Sequence, residues 1–418
     1  MIKLTFNDGD LLSGLEIHTI RQNGFFIDSN RDFTKNLPSE LPRTNEKKFK
    51  LNYVGFSVNK EGDILTVFPK KYEQTSQVEH DRKKLFTSLI KHIQKNPSIY
   101  LGEDFEKIVD TNFPFFAFFS IYEYYERFGI HFKEQKKCRP YRTGKVNWKE
   151  TIRLSEKYIV DYQLIMFPTY FDEKFRAETF ISQCMIYAIN YTIDKFSFFI
   201  DKHKVDRPAP EFDFFKNKSL ILEKLHTIKN LTYSNIHIKL LSDLIEFFSM
   251  PDYGGLFYFK HYSYELLWEK MVEYYLRYHF IRFENKRMIL SDIQLPVRRE
   301  FRKETFRPNL ANRMNNIQPD HYLEDGNNQI IIDAKYYEPL EMNYKQISYL
   351  LFLRNKRENI SSPPKFSNTY SALIIPHNGR SSKPHFEMDP IYNKEFEDVF
   401  ISEERININQ VIDFWIKS

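Results

Sequence analysis

The stretch Pro319–Tyr349 constrains the chain more than any other. It reads PDHYLEDGNNQIIIDAKYYEPLEMNYKQISY. Asp325, Gly326, Asn327 and Asn328 form a turn cluster, and Asp-Gly is a strong hairpin signal. Gln329–Ala334 is short, isoleucine-rich and bounded by turn residues, so it reads as a buried strand. Side chains alternate along a strand, so Ile331, Asp333 and Lys335 share one face. The turn brings the preceding segment, with Asp320, alongside. Two adjacent carboxylates repel and need a partner. A hard divalent cation, Mg2+ with Mn2+ as a substitute, suits them because it takes oxygen ligands and keeps several waters. Lys335 can orient or deprotonate a water, or stabilise charge developing on a phosphate. The segment Met342–Leu353 predicts an amphipathic helix with Gln346 and Tyr349 on one face. Those two could hydrogen-bond a base or a phosphate, or fix Lys335 in place.

The rest of the chain is long enough for two or three domains, at 418 residues. It has 40 Phe and 27 Tyr against 12 Gly, which favours large aromatic cores over Gly-rich nucleotide loops. The net charge of +5 suits a nucleic-acid partner without demanding one. Two cysteines, Cys138 and Cys184, argue against a disulfide scaffold or a zinc site. Met1–Asp10 lacks the apolar core of a signal peptide, and no apolar run reaches membrane-spanning length, so the cytoplasm is the expected compartment.

In chain order, residues 1–75 read as a β-rich module. Leu11–Ile20 and Gly24–Asp28 lean towards strands, Ser29–Lys50 reads as a long loop or projecting hairpin, and 52–72 contains a β-hairpin. Residues 76–255 read as mainly helical, with segments at His80–Gln94, Phe113–Phe128, Thr179–Asp201 and Leu220–Met250. Within them Lys145, Trp148 and Lys149 combine charge with an aromatic ring, a pairing that can hold phosphates and stack on bases. The glycine at 144 begins no phosphate-binding loop, and no such loop occurs elsewhere, so NTP-driven work belongs to another chain. Residues 256–418 open with a helix over Ser263–Tyr278. Arg298, Arg299, Arg302, Lys303 and Arg307, interleaved with Phe301 and Phe306, precede the hairpin and are the candidates for gripping a DNA backbone. Tyr370–Pro376 reads as another buried strand of the same sheet, and Val411–Ile416 as a short final helix. His377 and His385 read as surface residues.

Pro319-Asp320, Asp333-Ala334-Lys335 and the helical Gln346/Tyr349 pair resemble the PD-(D/E)XK nuclease superfamily in its QxxxY-bearing branch. Their spacing is similar to that of McrC and LlaJI-type restriction subunits. Gln346 and Tyr349 are separated by two residues rather than three. The resemblance extends to the N-terminal wording YVGF…LTVFPKKY and to GKVNWKETI. It implies an α/β nuclease core, a mixed sheet flanked by helices, at the C-terminus. Glu269, on the helix before the sheet, would complete the metal site. It implies the DNA-cleaving subunit of a restriction system working with an AAA+ GTPase or ATPase of McrB type. In that family the N-terminal region projects a loop into the partner ring, which makes Arg31, Arg43, Lys47, Lys48 and Lys50 the candidate contacts. Two other classes fit the residues: a repair or recombination nuclease without a motor partner, and an inactive DNA-binding scaffold.

Overall fold

The computed structural model describes residues 3–35, 48–96, 105–207, 216–251, 255–312, 314, 316–338, 343–392 and 399–418. The chain is a mixed α/β protein with several sheets. It divides into two compact units: residues 1–112, 198–201 and 252–418, and residues 113–197 and 202–251. That division does not follow three consecutive segments, because the two ends of the chain meet in one unit.

The first unit holds two five-stranded sheets. One is built from β1 (Lys3–Asn7), β2 (Val54–Val58), β3 (Ile64–Phe68), β4 (Val109–Thr111) and β5 (Phe257–His261), in the order β1-β3-β2-β5-β4. β1 runs parallel to β3, and the other neighbours are antiparallel. β5 therefore belongs to this sheet, although it lies beyond the expected boundary at residue 255. Every residue of VGFSV and ILTVF is buried, as befits strands covered on both faces. Helix α1 (Val78–Lys95) covers one face, and Phe56 packs against Phe86 at 5.4 Å between ring centroids. Between β2 and β5 the backbones approach closely at Gly55, whose φ is +155°.

Leu11–Ile20 is not a strand. Only Leu11–Ser13 is extended, and Gly14–Gln22 is helical. The physical reason is a capping box: the Ser13 side chain accepts from the Glu16 N–H, and the Glu16 side chain accepts from the Ser13 N–H. Ile17 and Ile20 then share the buried face. The expected hairpin after Ser29 has a base: Phe33–Lys35 pairs antiparallel with Lys48–Leu51. Arg43 and Lys47 lie outside the described residues.

The second sheet comprises β6 (His321–Asp325), β7 (Asn328–Ala334), β8 (Asn368–His377), β9 (Ser381–Glu387) and β10 (Phe400–Asn407), in the order β6-β7-β8-β10-β9. β7, β8 and β10 are mutually parallel, and β6 and β9 are antiparallel edges. Helix α2 (Tyr264–His279) precedes the sheet, α3 (Tyr344–Arg354) makes the crossover from β7 to β8, and α4 (Ile408–Lys417) follows β10. Parallel neighbours require such a crossover. Ile330, Ile331 and Ile332 are all buried, so the isoleucine run lies at the centre of this layered core.

The second unit is less helical than its sequence suggests. Helices Phe115–Phe128, Phe180–Lys195, Lys218–Asn230 and Asn235–Ser249 are present. They enclose an aromatic cluster in which Phe113 lies 4.6 Å from Phe196 and 5.9 Å from Phe247, centroid to centroid. Phe132–Pro140, Lys145–Val146 and Tyr170–Glu178 form a three-stranded sheet, and Glu156–Val160 pairs with Gln163–Phe167 as a separate hairpin. The strands escaped a sequence reading because most of their residues are exposed on both faces, so no inside-outside alternation marks them.

Candidate active site

The hairpin register brings the carboxylates together. His321 pairs with Ile332 across β6 and β7, so Asp320 and Asp333 follow side by side at the same end. Asp320 accepts the Ala334 N–H at 3.1 Å. Burial pushes the Asp320 carboxyl up to about 7, and the neighbouring Asp333 charge adds to the rise. Burial would also raise Asp333, but the Asp320 carboxyl and the Lys335 ammonium outweigh it and hold Asp333 below the usual carboxylate range. The two acids titrate as a pair, Asp320 pushed up and Asp333 held down.

Asp333 is fully buried, and neither of its oxygens accepts an aligned hydrogen bond. Two ammonium groups lie against them instead. Lys335 pairs with Oδ2, and Lys345 stands 3.7 Å from Oδ1. The Lys335 and Lys345 side chains are 30% and 53% exposed, so solvent reaches both groups that face the acid. Paired carboxylates charge-balanced by partly exposed lysines fit a hard divalent cation. Glu269 is near enough for its charge to add to the rise at Asp320. It accepts from the Lys303 Nζ at 2.8 Å, and among the described residues no group of three or more Asp, Glu, His or Cys could hold a metal ion.

Gln346 and Tyr349 turn inward rather than towards a substrate. Gln346 is buried, and its Nε2 donates to the Ile331 carbonyl at 3.1 Å and to Ser371 Oγ at 2.8 Å. The Tyr349 hydroxyl donates to the Gln318 carbonyl at 3.2 Å. Together they bolt α3 to β7, β8 and the segment leading to Asp320. Asn343 caps α3 by accepting the Gln346 N–H, and its own N–H donates to His385 Nε2 at 3.2 Å. His385 is therefore a packed histidine and not a surface one; its side chain is 8% exposed.

The two tyrosines after Lys335 join this strand to the first sheet. The Tyr336 hydroxyl accepts the Lys70 N–H at 2.8 Å, and the Tyr337 hydroxyl donates to Asp8 Oδ2 at 3.2 Å. Lys70 and Lys50 lie over the Tyr337 ring at 4.9 and 5.7 Å. Burial raises the Asp8 carboxyl to about 7, against hydrogen bonds from Tyr336 and Tyr337 that lower it. Because the folded value exceeds the ordinary one, Asp8 contributes its full stability in acid and loses it as pH rises through about 7. Asp8→Asn is neutral at every pH. It is expected to gain about 2–4 kcal/mol relative to the parent between pH 5 and pH 8.5. Denaturant titrations at the two pH values measure this, and a pH-independent difference refutes a neutral buried Asp8.

Four of the five basic residues before the hairpin face acidic partners. Arg298 faces Glu300 at 3.6 Å, Arg299 faces Asp325 at 3.2 Å, and the Arg302 Nε donates to Glu304 at 2.7 Å. Lys303 holds Glu269, and Arg307 is exposed. Surface ion pairs of this kind are worth little and exchange readily for phosphate. Lys145 and Lys149 are exposed, and Trp148 is 63% exposed at the start of its helix. Of the proposed partner contacts, Arg31 is tied down by Asp110 at 3.5 Å and lies 4.3 Å from the Tyr262 ring centroid, whereas Lys48 and Lys50 are half-buried on the hairpin base.

Three features escaped the sequence reading. Lys345 is one; its only signal was a position one residue before Gln346 on the helix that follows Asp-Ala-Lys. The Asp8 contact is another, since nothing links residues 8 and 337 in sequence. The third is the hairpin Glu156–Phe167, where Ile159 is 80% exposed and Leu164 57%. Its tip residues Asp161 and Tyr162 both have positive φ, the geometry of a tight hairpin turn.

A family model described as LlaJI restriction endonuclease matches residues 53–348, which include Asp320, Asp333, Lys335 and Gln346. No curated protein matches the chain. Among solved structures, the chain is similar to one in an assembly of Thermococcus gammatolerans McrB AAA+ hexamers with bound McrC. Identity is 13%, coverage is 100% of this chain and 99% of that one, and the TM-score is 0.37. Among the described residues no helix is long and apolar enough to cross a membrane.

Proposed function

The chain belongs to the LlaJI restriction endonuclease family, and from that premise we propose that it is a Mg2+-dependent endodeoxyribonuclease with a PD-(D/E)XK core. The observation that carries this reading is the pairing of Asp320 with Asp333 at one end of the hairpin, with Lys335 on the same carboxylate. Asp320 and Asp333 would hold Mg2+ or Mn2+, whose chemistry is to polarise the phosphate and to acidify water. The water oxygen bonds to phosphorus, one P–O ester bond breaks, and the departing oxygen takes up a proton. Lys335 faces the attacked phosphate. Arg298, Arg302, Lys303 and Arg307 supply sequence-independent backbone contacts, with Lys145, Trp148 and Lys149 as a second set. Glu269 reaches the cation only if Lys303 releases it.

The chain contains no phosphate-binding loop, so the proposed partner is an AAA+ GTPase or ATPase of McrB type, as the resemblance of the N-terminal module implies. The base of the Phe33–Leu51 hairpin and the exposed Glu156–Phe167 hairpin are the candidate contacts. An apolar ribbon exposed on both faces is marginal alone and suits a protein partner. Ile159→Asp, or charge reversal at Lys48, is expected to lower a reconstituted partner's stimulated nucleotide hydrolysis about tenfold, the effect of one interface hot spot. Unchanged hydrolysis in both variants removes these elements from the partner contact. The enzymatic reading itself is tested by plasmid cleavage with Mg2+ or EDTA, with and without the product of the adjacent gene.

A further inference from the structure

We infer that Lys345 is a second phosphate-facing ammonium of the cleavage site, acting beside Lys335 and contacting the scissile phosphate directly. The inference rests on the nuclease reading above. Its basis is the Lys345 Nζ, 3.7 Å from Asp333 Oδ1 on the opposite carboxylate oxygen from Lys335.

Lys345 is positioned rather than incidental. It sits in the first turn of α3, which Asn343 caps and which the buried Gln346 anchors to Ile331 and Ser371. Its ammonium also lies 5.3 Å from the Tyr349 ring centroid, one turn further along the helix. The backbone that carries it is thus locked to the strand that carries Asp333, while its own side chain remains 53% exposed. A lysine held this way starts from a fixed backbone and keeps its ammonium within reach of both the carboxylate and solvent.

Formal charge shows what a second amine does. Without a cation, two ammonium groups neutralise Asp320 and Asp333 when both acids are ionised. With a divalent cation held by the two acids, both lysines would remain as uncompensated positive charge at the site. A phosphodiester carries one negative charge, and a second develops as water attacks. Lys335 and Lys345 together match that final charge, whereas Lys335 alone matches the ground state. Groups matched to the transition state raise the rate rather than the affinity. Lys345 keeps its proton throughout, so the proton balance of hydrolysis is unaffected.

The test uses the full chain, with its partner if cleavage requires it. Lys345→Met, Lys345→Arg and Asp333→Asn are compared with the parent in single-turnover cleavage, and Mn2+ affinity without DNA is measured by calorimetry. Lys345→Met is expected to cut the rate about 100-fold, the cost of losing one transition-state donor, while Lys345→Arg stays within about tenfold of the parent. Mn2+ should bind Lys345→Met severalfold more tightly, because a repelling charge beside Asp333 is gone. A Lys345→Met rate within about threefold of the parent overturns the inference. So does weakened Mn2+ binding, which assigns Lys345 to holding the carboxylates. If the parent itself shows no cation-dependent cleavage, the nuclease reading fails with it; if Asp333→Asn alone is inactive, only the role of Lys345 falls.

Discussion

Asp333→Asn is expected to lower Mg2+-dependent cleavage on the order of 1000-fold or more without unfolding the protein. The side chain is buried at the end of β7, faces Lys335 and Lys345, and lies beside Asp320. Asparagine keeps its shape and removes its charge. The two lysines are partly exposed and can turn their heads to water, so the loss of a buried partner, which costs about 3–5 kcal/mol where both charges are sealed, is largely relieved here. Lys335→Ala should lower the rate by about 100- to 1000-fold by the same logic applied to the opposite charge. Cleavage of supercoiled plasmid, with circular dichroism and a thermal melt on the same samples, measures both effects. If either variant cleaves normally, the acid–lysine cluster is structural. If either fails to fold, the cluster is part of the core, and its chemistry must be probed with Asp320→Asn instead.

Gly55→Ala is expected to have the largest effect on folding. At this residue φ is +155°, and an added Cβ would stand 2.0 Å from the Phe259 carbonyl oxygen, with Lys260 Cα at 3.1 Å. The obstacle is backbone of the neighbouring strand, not the end of a flexible side chain, so relief requires β2 and β5 to part. Lys260 beside it is fully buried, with its ammonium 2.5 Å from Asp32 Oδ2, and Tyr262 donates to Asp32 Oδ1 at 2.8 Å. Separating the strands would expose that pair. A loss of more than about 3 kcal/mol follows from strain and disrupted pairing together. Denaturant unfolding measures it; a variant within about 1 kcal/mol of the parent would mean that the strands can part without loss.

The hairpin that brings Asp320 beside Asp333 was legible because its signals are local. Asp-Gly specified the turn, the isoleucine run specified a strand covered on both faces, and strand alternation set Asp333 and Lys335 on one face. Antiparallel pairing then placed Asp320 beside Asp333 with no further information. The helix after Lys335 was legible for the same reason, but the orientation of its residues was not. Gln346 reads from the sequence either as a substrate contact or as a positioning group, and it is buried against β7 and β8, because whether a polar side chain faces solvent or a neighbouring strand depends on what packs above it. In Leu11–Ile20 the apolar content favours a strand, but the Ser13/Glu16 capping box, itself a local signal, starts a helix there.

What the sequence determined by itself was the chemistry on offer: two acids, an amine and a turn that brings them within reach. Only the tertiary structure decided how the chain's ends meet. β5 enters the first sheet after a separate unit has intervened, and Asp8 finds Tyr337, while Lys345 reaches back to Asp333 from the first turn of the crossover helix itself. Turns and periodicities act over a few residues and leave a trace in the sequence. Contacts across hundreds of residues are chosen by which surfaces bury best together, and no stretch of either partner records that choice alone.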